Sequence, residues 1–255
     1  MKKLNKIINT LESLFPLNKS EEWDNSGLQY GHRNQSINKI IVALDLTTDV
    51  FEKAIDNQVD LIITHHPFLW EDTMEENYNN APYKKLINGR LENTGIAVYS
   101  LHTNYDQDKK GTSYRIAKML TNSPLSSKVV KYASIIEGNT NIKKVSDQLR
   151  EITGITTLIS NQEEVNKTFD RFAILAGSGN IKDIIALSKS DNTNLVVTSD
   201  FKWSDWTTIK ELGLNVIEVT HGIETIFSED ITNILKNKFS DLEVFYEHSQ
   251  EIAKL

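Results

Sequence analysis

Residues 60–67 read DLIITHHP and residues 194–200 read NLVVTSD. Each is a short run of leucine and β-branched residues, the composition of a strand buried on both faces, and each ends on polar side chains. A second matched pair follows: GIAVYSLH, ending at His102, and LNVIEVTH, ending at His221. The pieces align without gaps and occur in the same order, so the two halves of the chain read as a duplicated α/β unit. A polar, acidic excursion after Pro67, EDTMEENYNNAP, accounts for the extra length of the first copy and reads as a solvated loop or a subunit contact.

The flanking sequence extends the pattern. Strand runs at 39–44, 60–64 and 96–101 alternate with helical spacing at 48–58, 83–92 and 113–120, with Thr47 or Thr48 as an N-cap. Past TNSPLSS (121–127), whose composition is that of a linker, strand runs at 129–136, 155–159, 171–176, 194–198 and 216–219 alternate with helices at 142–152, 181–188 and 206–212. The expected fold is therefore α/β: two related, duplicated α/β domains with mainly parallel mixed sheets flanked by helices. The boundary is placed at 125/126, giving domains 1–125 and 126–255, with the last helix and strand free to pack back on the first domain.

Composition excludes several classes of function. Among 255 residues, 28 Lys and Arg stand against 35 Asp and Glu, a formal net charge of -7, which argues against a surface built to neutralise nucleic-acid phosphates. The absence of cysteine removes disulfides, thiolate nucleophiles, iron–sulfur clusters and thiolate zinc sites, so any metal must sit on nitrogen and oxygen. MKKLNKIINTLESLF reads as an amphipathic helix and lacks the unbroken apolar stretch of a signal peptide. With no apolar window near the roughly 18 residues of a membrane span, the expectation is a soluble cytoplasmic protein without a membrane partner.

The histidines carry the chemistry. Four of six, His65, His66, His102 and His221, lie directly at the end of an apolar strand run, where ligands of open α/β sheets gather. Adjacent side chains on a regular strand face opposite ways, so His65 and His66 fit a pair of ions about 3.5–4 Å apart better than one shared ion. Acids stand nearby: Asp106 lies four residues past His102 and Glu224 three past His221, spacings that share one face of a helical turn. Gly177-Ser178-Gly179, between a strand and a helix, reads either as an anion-holding turn or as a tight turn alone. Trp23-Asp24-Asn25 reads either as lining of the cleft or as a loop fold. Trp203 and Trp206 could stack on a base, though their helical spacing also suits packing.

WDNSGLQ (23–29), ALDLT (43–47), LIITHHP (61–67), HTNYD (102–106), AGSGN (176–180), VTSDFKWSD (197–205) and VTHGIE (219–224) follow in series over nearly the whole chain. In this the chain resembles the short form of the NGG-one-interacting-factor-three-like family of dinuclear-metal proteins, often labelled GTP cyclohydrolase 1 type 2 homologues. The resemblance implies two divalent metal ions per chain, zinc, iron or manganese, in the cleft between the domains, and a homohexamer. Its ligand set falls on His65, His66, Asp106, His221 and Glu224. Two departures stand out: many relatives have the final glutamate four residues after the histidine, and the usual TGDLKYHD is here TSDFKWSD, with Ser199 and Ser204 in place of glycine and histidine.

Two ions on imidazole and carboxylate constitute a hydrolytic centre. The resemblance implies a metal-dependent hydrolase of the GTP cyclohydrolase kind, acting on a nucleotide or a related small phosphorylated molecule. His102, which ends the strand leading to Asp106, is the candidate for orientation of a ligand or for proton transfer. The competing reading is a non-enzymatic metal-binding scaffold, a metal-handling protein or a regulatory interaction partner.

Overall fold

The computed structural model describes residues 1–107, 109 and 111–248. They form two compact units, one of residues 1–107 with 227–248, the other of 109 with 111–226.

The first unit is built on a five-stranded sheet. Its spatial order is Glu243–Tyr246, Lys39–Ala43, Leu61–Thr64, Ala97–Ser100 and Gly27–Tyr30; the first four are parallel and the last runs antiparallel to Ala97–Ser100. Alternation with period two sends Ile40, Val42, Leu61, Ile63, Ala97 and Tyr99 to one face and Ile41, Ala43, Ile62 and Val98 to the other. Helices Leu4–Leu14 and Ile226–Lys238 cover the first face with Leu4, Ile7, Ile8, Leu11, Phe227, Ile231 and Leu235. Thr48–Asp56 and Tyr83–Thr94 cover the second with Val50, Phe51, Ala54, Ile87 and Leu91. Both faces are dry, which is why these strands read as unbroken apolar runs.

The second unit repeats the plan around six strands, ordered Leu125–Ser126, Ser134–Asn141, Thr168–Ser178, Leu195–Ser199, Val216–Val219 and Leu158–Ser160. Thr168–Ser178, Leu195–Ser199 and Val216–Val219 are parallel, and the other pairings are antiparallel. Phe172, Ile174, Leu195, Val197 and Ile217 face Thr112–Leu120 and Ile142–Thr153, while Ala173, Val196 and Val216 face Ile181–Ser190 and Trp203–Glu211. The two sheets share an arrangement: three adjacent parallel strands, with an antiparallel strand beside the third. Leu61–Thr64 and Leu195–Ser199, the strands of the two aligned motifs, each lie in the middle of the three.

The structure departs from the sequence reading at the division between the units and in the acidic excursion. Helix Thr112–Leu120 groups with the second unit, because Ile116 and Ala117 bury their apolar face among Ile136, Phe172 and Ile174. The division therefore falls near residue 109 and not at 125/126, and Leu125–Ser126, inside the linker-like stretch, is an edge strand on Ser134–Ile135. The last helix and strand belong with the first unit, Glu243–Tyr246 pairing in register with Lys39–Val42; the final residues of the 126–255 assignment, 249–255, lie outside the described residues. The acidic excursion, which reads as a solvated loop or a subunit contact, holds a helix, Met74–Asn80, so the loop reading does not stand. Among the described residues, no helix is long and apolar enough to cross a membrane.

Candidate metal centre

In the first unit the parallel strands deliver three histidines to one place. Leu61–Thr64 ends before the doublet, so His65 and His66 escape the strict alternation of a strand, and their rings converge with centroids 5.1 Å apart. His102, past the end of Ala97–Ser100, lies 5.2 Å from the His65 ring and 5.6 Å from the His66 ring. One ligand atom from each of the three lies within 4.8 Å of the others, a group that could hold a metal ion. The sequence argument against a shared ion assumed a regular strand, and the strand stops one residue too early for it.

Each ring is fixed through Nδ1. His65 Nδ1 is 2.8 Å from the Leu101 carbonyl oxygen, His66 Nδ1 is 2.8 Å from Asp45 Oδ1 and His102 Nδ1 is 3.1 Å from Asp24 Oδ1. An oxygen acceptor at Nδ1 sets that nitrogen as the protonated one and leaves Nε2 with its lone pair, the tautomer of a metal ligand. His65 is fully buried, and its Nε2 lies 3.3 Å from Asp106 Oδ2.

HTNYD forms the short helix Thr103–Asp106 that makes this arrangement rigid. Asn104, fully buried, accepts from the His102 backbone N–H and donates to the Phe15 carbonyl at 2.8 Å. Tyr105 packs against Phe15, Phe227 and the His65 ring and donates to Asp230. Asp24 receives the Thr103 N–H and hydroxyl and the Ser26 hydroxyl besides His102. Burial of Asp24 pushes its pKa up, and the hydrogen bond and charge of His102, with the hydroxyls of Thr103 and Ser26, outweigh that and bring it to about 2.

The second unit offers a smaller set with the same logic. His221 Nδ1 meets Asp200 Oδ2 at 2.5 Å, and His221 Nε2 meets Glu224 Oε2 at 2.8 Å. His221–Thr225 is a 3₁₀ helix. With three residues per turn, positions i and i+3 eclipse, so the shortened histidine–glutamate spacing is the one this helix requires. Asp200 adopts φ 60°, a left-handed conformation aspartate tolerates better than bulky residues do, and this turns its carboxylate toward His221. Ser199 closes the strand opposite Ser178 outside the positive-φ region, so its backbone has no need of the family's glycine.

Gly177 explains AGSGN. Its φ is +79°, and Glu224 Oε1 occupies the space that a Cβ there would fill. Gly179 N–H donates to the Ser199 carbonyl, which removes one donor from the anion-holding reading of this turn. Gly177 lets the Glu224 carboxylate, only 4% exposed as a residue, lie against the backbone, while Gly179 makes room for the Thr198 side chain. Lys202 opens the helix Trp203–Glu211, its backbone N–H donating to Asp205.

The profile of Duf34/NIF3 (NGG1p interacting factor 3) matches residues 2–252. The chain belongs to the Duf34/NIF3 family. It is 36% identical over 233 residues to a GTP cyclohydrolase 1 type 2 homolog of Mycoplasmopsis pulmonis, covering 90% of this chain and 91% of that one. A GTP cyclohydrolase 1 type 2 homolog of Clostridium perfringens is 30% identical over 230 residues, 86% of this chain and 85% of the relative. Among solved structures, a hypothetical protein of Staphylococcus aureus superposes with a TM-score of 0.86 at 21% identity, covering 99% of both chains, and shares the fold.

Within this Duf34/NIF3 chain, the sequence singled out His65, His66, His102 and Asp106 in the first unit and His221 and Glu224 in the second. Within the first unit the structure brings the first four together, and within the second it brings the last two together. The sequence reading assigned no role to Asp45 and Asp200 and took Asp24 only as lining of the cleft or part of a loop fold; the three are the carboxylates that hold Nδ1 of His66, His221 and His102. Asp45 and Asp200 share a signal, an acid placed at the end of an apolar strand run, whereas Asp24 lies in a loop and pairs with residues 78 positions away.

Proposed function

We propose that this chain is a dinuclear divalent-metal protein and a metal-dependent hydrolase acting in the cytoplasm on a nucleotide or a related small phosphorylated molecule. The observation that carries the reading is the common setting of the four strand-end histidines, each with Nδ1 facing an oxygen, which leaves Nε2 for a metal ion or, at His102, for a proton. Imidazole and carboxylate donors without thiolate suit zinc, iron or manganese. His65, His66, Asp106, His221 and Glu224, the ligand set that the family resemblance implies, would hold two such ions. The shared strand order of the two sheets supports duplication of one α/β unit as the origin of these two halves.

When bound, the ions supply Lewis acidity and lower the pKa of a water. The protein's own part is to orient the donors and to move a proton. His102, with Nδ1 held by a carboxylate that stays ionised down to about pH 2, is built to exchange a proton at Nε2 with the reacting group.

Metal analysis after reconstitution tests the first half of this reading. Two ions per chain are expected, falling when His65 and His66 are both replaced by alanine; unchanged content in that variant would sink the ligand assignment. The second half is tested by following GTP for opening of its imidazole ring. His102→Ala should keep the metal and slow turnover by about 10²-fold, as general acid–base groups commonly contribute. A fully metallated wild type without turnover of nucleotides, phosphoesters or cyclic amides would leave a metal-binding scaffold in place of an enzyme.

A further inference from the structure

Two indoles stand in the open beside the three imidazoles of the first unit. Trp23 is 61% exposed and Trp70 41%. An indole left in water forgoes the burial that normally holds aromatic side chains in place, yet these two sit on tethered stems. Asn25 donates to the Leu69 carbonyl at 2.7 Å, and the Leu69 N–H donates to Gln29 Oε1 at 3.0 Å, tying the Trp23 loop to the Trp70 loop. Trp70 N–H donates at 2.7 Å to Asn77 Oδ1, whose buried amide also binds the Glu71 and Thr73 carbonyls. The exposed helix Met74–Asn80 thereby anchors an exposed tryptophan.

The rings form a wedge. The two indole centroids are 5.9 Å apart and the planes meet at 44°, so neither indole stacks flat on the other. His102 lies 5.9 Å from Trp23 and 5.2 Å from Trp70, edge-on to both at 70° and 65°. The three aromatic centroids lie at nearly equal spacing, and the His65 and His66 rings adjoin them through His102. Indole faces hold planar bases by stacking, independently of hydrogen-bond readout.

We propose that Trp23 and Trp70 form a stacking site for the purine ring of a nucleotide, seating that ring beside His102. This rests on the hydrolase reading and names the part of its substrate that the first unit would grip.

Titration calorimetry on the metal-loaded full chain provides the test, with GTP as the probe and tripolyphosphate as the ring-free control. Trp23→Ala and Trp70→Ala should each weaken GTP binding about tenfold, within the range for loss of one base–aromatic stack, and leave tripolyphosphate affinity and metal content as in wild type. Trp70→Phe should recover most of the affinity. GTP affinity unchanged in both alanine variants, equal losses for GTP and tripolyphosphate, or no GTP binding by wild type would each overturn the proposal. So would a fall in molecular mass by light scattering with GTP affinity intact, which makes the indoles a subunit contact. A chain that retains no metal but binds GTP through Trp23 and Trp70 refutes the hydrolase reading and supports the stacking site; turnover that ignores both tryptophans does the reverse.

Discussion

Asp24, Asp45 and Asp200 serve three histidines in the same way, but Asp24 is the most enclosed of the three: its side chain has no exposed surface, against 42% and 47% for the other two. Its pKa falls from 3.8 to about 2 on folding, so the unfolded chain takes up the proton first as pH drops. The stabilisation is complete above the unfolded value and disappears as pH falls from about 4 to about 2. Urea unfolding of wild type and Asp24→Asn should therefore differ at pH 6 and converge toward pH 2; a gap independent of pH would count against this role. Gly177 gives a second test at this scale. Gly177→Ala meets both a left-handed backbone, costing roughly 1–2 kcal/mol, and the Glu224 carboxylate. Thermal unfolding should register at least that loss, and metal content should fall with it if Glu224 is a ligand.

Among the elements, Met74–Asn80 shows how a readable signal is lost in composition. Thr73 is the N-cap of this helix: the Glu76 N–H donates to Thr73 Oγ1 at 3.2 Å, and the Thr73 hydroxyl in turn donates to the Glu76 carboxylate at 2.6 Å. The acidic, asparagine-rich surroundings read as a loop, because the helix has almost no apolar face to announce it; Asn77 is its buried residue. Thr73→Ala should destabilise the segment by about 1 kcal/mol. Because Asn77 holds the Trp70 N–H, the same variant should raise hydrogen exchange at residues 70–77 while the sheet core stays protected. Uniform loss of protection through the first unit would contradict a local role. Helix Thr112–Leu120 teaches the complementary lesson. Its amphipathic pattern was legible, but an apolar stripe does not name the sheet it will cover, so its place in the second unit emerged only from packing.

For the whole molecule, the family resemblance carries the expectation of a homohexamer. Light scattering at micromolar concentration should return a mass several times the 29.0 kDa of one chain, and a mass near that value would rule out a stable ring. Removing the proposed ions with a chelator should lower the melting temperature if they bind the folded chain alone, since a ligand of the native state stabilises it by mass action. An unchanged melting temperature in a protein shown to have carried metal would mean that the donors are preorganised without it.

The sequence by itself determined the parallel strands, the plan shared by both halves and the strand-end positions of four histidines. These follow from local physics: dry strands must be continuously apolar, and the residue after such a run must emerge where the sheet ends. Only the tertiary structure decided how those residues are used. The orientation of each imidazole depends on an oxygen brought from far along the chain, such as Asp24 to His102 or Leu101 to His65, and no periodicity encodes such a meeting. The convergence of His65 and His66 depends on the strand stopping at Thr64, and the three-residue step from His221 to Glu224 on a 3₁₀ turn in place of an α turn. The unit boundary near residue 109 and the wedge of Trp23 and Trp70 belong to the same class, because packing partners and tethered loops are set by the whole chain at once.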